Sequence, residues 1–110
     1  MKFTFKKDLP VGRYKSFELE YHIIKYQKIE VGVIQELDLT RYGRIDTSGN
    51  DGKFEIRFQV CRKPVEITAQ SPAPFKWITI KQKFDTADLA RQWVRENETK
   101  LLALDLFLKL

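Results

Sequence analysis

The chain has few residues that could form covalent or metal cross-links. Its 110 residues include one cysteine, Cys61, and one histidine, His22. A lone thiol excludes an internal disulfide and suits a reducing cytosol. No Cys-x-x-Cys or His-x-x-x-His spacing exists, so neither a metal site nor a cofactor is expected. Five glycines and four prolines are too few for a low-complexity or collagen-like segment. No run of about 18 apolar residues is present, so no segment is expected to span a membrane. Met1 to Lys6 lacks the apolar run of a signal peptide.

What is present suits one folded domain over 1–110. Hydrophobic residues make up 43% and charged residues 32%, enough for a core and a solvated surface. The net charge is +5 and unevenly placed. Residues 53–83 hold Lys53, Arg57, Arg62, Lys63, Lys76, Lys81 and Lys83 against only Glu55 and Glu66, while the flanking thirds nearly balance. A clustered positive field attracts polyanions. Lysines on an open sheet face also serve solubility and block edge pairing.

The hydrophobic pattern is mostly that of strands. Phe3-Thr4-Phe5 alternates, and Lys7 to Arg13 reads as a connection. Ser16 to Ile23 places Phe17, Leu19, Tyr21 and Ile23 on one side and Ser16, Glu18, Glu20 and His22 on the other. A strand is expected over Lys28 to Gln35, with Gly32 marking a bulge or a close backbone approach. Tyr42 to Asp46 is ambiguous and could extend. Asn50-Asp51-Gly52 is the clearest turn, and a hairpin is expected there. Lys53 to Cys61 alternates strongly, with Phe54, Ile56, Phe58 and Val60 inward. Lys63 to Pro74 reads as a loop. Phe75 to Phe84 is a further strand, with Ile78, Ile80 and Phe84 inward.

Asp85 or Thr86 can cap a helix over about 86–100, whose apolar stripe runs through Ala87, Ala90, Trp93, Val94 and Leu101. Leu102, Leu104, Leu106, Leu108 and Leu110 recur with period two, which predicts a short final strand. Ala103 and Phe107 make that strand partly apolar on both sides, so a homodimer through the Leu-rich C-terminus is expected. A helix extension ending near Leu108 is the competing reading. The expected fold is α+β: an antiparallel sheet of about five or six strands with one main C-terminal helix on one face.

Catalytic constellations are weak. His22 reads as solvated and Cys61 as a small buried hydrophobe. Glu18 and Glu20 read as a solvated strand face. Gly49 and Gly52 fit no phosphate-loop spacing, and Ser48 and Ser71 have no nucleophile-elbow context. No enzyme is expected. The outward residues Lys53, Arg57, Gln59, Trp77, Thr79, Lys81 and Lys83 combine the chemistry of a nucleic-acid surface: cations for phosphate and guanine, Gln and Thr for base edges, and an aromatic for stacking. Trp77 could instead lie beneath the Pro72–Pro74 segment.

The stretch Lys53-Phe-Glu-Ile-Arg-Phe-Gln-Val, with Lys76-Trp-Ile-Thr-Ile-Lys-Gln-Lys-Phe-Asp-Thr-Ala-Asp-Leu-Ala-Arg-Gln-Trp, resembles the small β-β-β-α arm-type domain of tyrosine recombinases. It is also similar to the plant ethylene-response-factor DNA-binding domain. Phe84, Thr86, Ala90 and Trp93 carry the match, within residues 41–97. The resemblance implies a sheet that enters the DNA major groove, with Arg57, Trp77, Thr79, Lys81 and Lys83 as contacts. The whole chain also resembles small bacterial proteins of prophage or mobile-element type. Nucleic-acid binding is the first expectation. An interaction module or inhibitor whose basic face meets an acidic protein partner is the second, and a structural homodimer whose charge only solubilises it is the third.

Overall fold

The computed structural model describes residues 3–8, 19–40, 43 and 45–107. Five antiparallel strands form one sheet in the order β1-β2-β3-β4-β5: β1 is Phe3–Asp8, β2 Tyr21–Tyr26, β3 Ile29–Glu36, β4 Phe54–Cys61 and β5 Phe75–Thr79. Two helices follow, α1 over Ala87–Glu96 and α2 over Glu98–Leu102. The expected α+β architecture is the one observed.

β4 forms as its alternation predicts. Phe54, Ile56, Phe58 and Val60 are buried against the helical layer, and the residues between them are half-exposed. α1 covers this side, with Ala87, Ala90 and Val94 buried against β3 and β4. The Thr86 side chain caps the helix by accepting a hydrogen bond from the Leu89 N–H at 3.1 Å. The single helix expected over 86–100 is broken at Asn97, whose backbone leaves the helical region and whose side-chain amide donates to the Trp93 carbonyl at 2.8 Å. Trp93 is half-buried and tilts against Phe84 at a centroid distance of 6.0 Å.

Four further expectations are corrected. First, the strand expected over 16–23 is β2, shifted to Tyr21–Tyr26; residues 16–18 lie outside the described residues. Its inward side is also reversed. His22 is only 3% exposed, and Ile24, not Ile23, joins the main core. Ile23-Ile24 and Val33-Ile34 give the central strands apolar residues on both faces, so alternation could not tell which face α1 would cover. Second, Ile45 and Asp46 form no strand, and Ile45 is 87% exposed; Tyr42 lies outside the described residues. The partner of β4 is β3, in register Glu36↔Phe54 to Gly32↔Phe58. The Asn50 turn is nevertheless present, with Gly52 at φ +79° and the Lys53 N–H bonded to the Asn50 carbonyl at 3.0 Å.

Third, Cys61 is half-buried and not a buried hydrophobe, although it lies opposite the inward face of β4, where the alternation puts it. Fourth, no strand runs through 102–107. Leu102 ends α2, and only Leu106 makes an isolated bridge, to Val60. Leucine favours helix, and Leu101 is buried in the core from α2. Val31 is an extra residue opposite β2, and β3 leaves β4 beyond Gly32. Asp105–Phe107 takes up the ladder groups left on β4: the Cys61 N–H bonds the Asp105 carbonyl and the Phe107 N–H bonds the Gln59 carbonyl. Leu108 to Leu110 lie outside the described residues. The five-leucine face on which the dimer expectation stood is not formed by Leu102, Leu104 and Leu106.

Candidate nucleic-acid interface

β4 and β5 pair with Arg57 opposite Thr79, Gln59 opposite Trp77 and Cys61 opposite Phe75. Paired residues share a face, and i, i+2 residues on one strand share it too. Because Ile56, Phe58 and Val60 point to the core, Arg57, Gln59, Thr79 and Trp77 stand together on the face away from α1. The Arg57 guanidinium lies over the Trp77 ring, 5.0 Å from its centroid. Trp77 is 38% exposed and so is not hidden beneath the Pro72–Pro74 segment. Beside it Phe75 stacks on Phe107, with centroids 5.1 Å apart and planes at 29°.

The seven sequence-predicted residues do not form one patch. Arg57, Gln59, Trp77 and Thr79 form a compact quartet, and Lys81 is exposed just beyond β5. Lys53 and Lys83 lie at the other end of β4. There they help line a cavity of about 370 Å³ with Trp93 and Glu96 of α1. Both are near carboxylates: Lys53 Nζ is 3.9 Å from Asp85, and Lys83 Nζ is 3.8 Å from Glu55. Glu55 also accepts a bond from Gln35 Nε2 at 2.9 Å. Among the described residues, Arg57 and Lys81 have no carboxylate within ion-pair distance, so of the cations expected at the site these two carry unpaired positive charge.

The segment leading into β5 is built on Arg62. Its guanidinium donates to the carbonyls of Ser71 at 3.0 Å, Ala73 at 2.7 Å and Glu66. Three backbone acceptors on one fork fix the 62–74 loop, so an arginine of the basic cluster is structural. Burial, and then the negative charge of Asp105, push the Cys61 thiol pKa up, which disfavours the thiolate.

A second cluster was hidden from the sequence reading. His22 Nδ1 receives a hydrogen bond from Arg91 Nη1 at 3.1 Å, so Nε2 carries the proton and donates to Glu20 Oε2, also at 3.1 Å. Arg91 is itself paired with Asp88 one turn back on α1. The bond from His22 is the main cause that holds the Glu20 carboxyl below its ordinary pKa. These groups line a cavity of about 360 Å³ with Lys7 and the start of α1. Both ring nitrogens are engaged, so His22 ties β2 to the helix and has no free nitrogen to take a proton from a substrate. Its two side-chain partners are Glu20, which lies next to β2, and Arg91, sixty-nine residues along the chain, and that distant pairing left no local signal.

Among the described residues no group of three His, Cys, Asp or Glu side chains could hold a metal ion, and no helix is long and apolar enough to cross a membrane. Comparison with protein-family models, with curated proteins and with solved structures finds no match to this chain.

Proposed function

We propose that this protein binds nucleic acid through the β4–β5 face and performs no catalysis. The observation that carries the reading is the quartet of Arg57, Gln59, Trp77 and Thr79: a cation, two hydrogen-bonding side chains and a half-exposed indole on one ordered surface, with no carboxylate of the described residues paired to the arginine. Phosphate contacts supply affinity, and Gln and Thr supply donors and acceptors for base edges. Arg57 and Lys81 are the phosphate-binding candidates. Lys53 and Lys83, each beside a carboxylate, contribute less.

The test is fluorescence anisotropy with labelled nucleic acid across a salt series. Affinity falls steeply with salt, and Arg57→Gln and Lys81→Gln each weaken binding and reduce the salt slope by about one. Absence of binding at low salt overturns the proposal.

A further inference from the structure

We infer that the nucleic acid taken by this face is single-stranded, with a base stacked on Trp77; this rests on the function proposed above. A side chain that reads a duplex must project from the sheet to reach base edges inside a groove. Arg57 is held back from such a reach, because its guanidinium carbon sits over the indole of Trp77, 5.0 Å from the ring centroid. The pair joins a cation to a half-exposed indole on one surface. That surface gives an unpaired base a π-face to stack on and gives its adjoining phosphate a positive charge. A base inside a duplex has both faces covered by its neighbours and cannot use such a platform.

The surroundings point the same way. β5 is an edge strand, so no described strand flanks Trp77 on its outer side. Phe75 shares its face two residues earlier, about 7 Å along the strand, and with Phe107 offers a second ring surface. Alternating aromatics on an open antiparallel sheet suit a strand whose bases are splayed apart. A single strand following β5 stays within reach of Arg57 and Lys81.

The experiment compares a labelled oligothymidylate, the matching oligouridylate and a duplex of the same length at low salt. A single strand binds about ten-fold or more tightly than the duplex. Trp77→Ala loses about ten-fold of single-strand affinity, whereas Trp77→Phe, which keeps a ring, retains most of it. Trp77 lies outside the buried core, so both variants melt near the native temperature; should Trp77→Ala melt early, Trp77→Thr, which keeps strand propensity, takes its place. A duplex bound as tightly as the single strands, or native affinity in the ring-free variant, overturns the inference and leaves the proposed function standing. Loss of all binding by the native protein overturns both.

Discussion

Gly32→Ala tests the closest approach in the sheet. A Cβ placed on Gly32 stands 2.5 Å from the Arg57 carbonyl oxygen and 2.9 Å from Cδ1 of Phe58, whereas ordinary contact begins near 3.4 Å. Gly32 lies outside the left-handed region, so the cost is steric and not conformational. The Ile80 N–H bonds the Ile56 carbonyl, which turns Ile56 toward β5 and the next carbonyl, that of Arg57, toward β3. That oxygen is backbone within a paired strand and cannot swing aside. Phe58 is fully buried, so its ring has nowhere to retreat. Two disturbed ladder bonds cost about 1 kcal/mol each. The overpacked ring costs about 1–3 kcal/mol more. The smaller conformational freedom of alanine in the unfolded chain returns about 0.5–1 kcal/mol. The net loss is about 2–4 kcal/mol, a fall in melting temperature of roughly 10–20 °C. Urea unfolding followed by circular dichroism gives the value, with Gly49→Ala as comparator. Gly49 has φ +76° and nothing within 4 Å, so its substitution carries backbone strain without collision. A Gly32→Ala protein as stable as the native one, or less affected than Gly49→Ala, refutes the reasoning.

Three further outcomes are expected. Gly52→Val loses about 1 kcal/mol or more in a thermal melt, because Gly52 sits at φ +79° in open space and valine meets strain there without a clash. Replacing Gln27-Lys28 with Asn-Gly raises stability by about 1 kcal/mol, since both residues hold positive φ, 51° and 69°, in the two-residue turn between β2 and β3; an unchanged urea midpoint would remove strain from that turn. The lowered pKa of Glu20 makes its contribution present above the ordinary value of 4.5 and lost as pH falls through the lower folded value; Glu20→Gln therefore loses less stability on acidification than the native protein, and parallel acid-unfolding curves would show that Glu20 contributes nothing.

The alternation of Phe54, Ile56, Phe58 and Val60 determined β4 and its inward face, because every second residue is large and apolar and those between are polar. The same pattern placed Arg57 and Gln59 outward, and Trp77 and Thr79 with them, so the quartet was legible once two adjacent strands were recognised. Thr86 was legible as one of two cap candidates, and Gly52 as a turn residue, because capping and positive φ are local demands. Other features depended on residues far apart in the chain. Only the packing of α1 decided that His22 points inward, since Ile23-Ile24 could have turned either way and the Arg91 bond exists only after folding. Only the ladder groups left by β3 beyond Gly32 drew Asp105–Phe107 onto β4, where period-two leucines alone suggest a full strand. Lys53 and Lys83 share the charge of the quartet but not its place, because Asp85 and Glu55 meet them at the other end of the sheet. Charge and period are properties of neighbours in sequence, whereas partners and burial depend on which surfaces fold against one another.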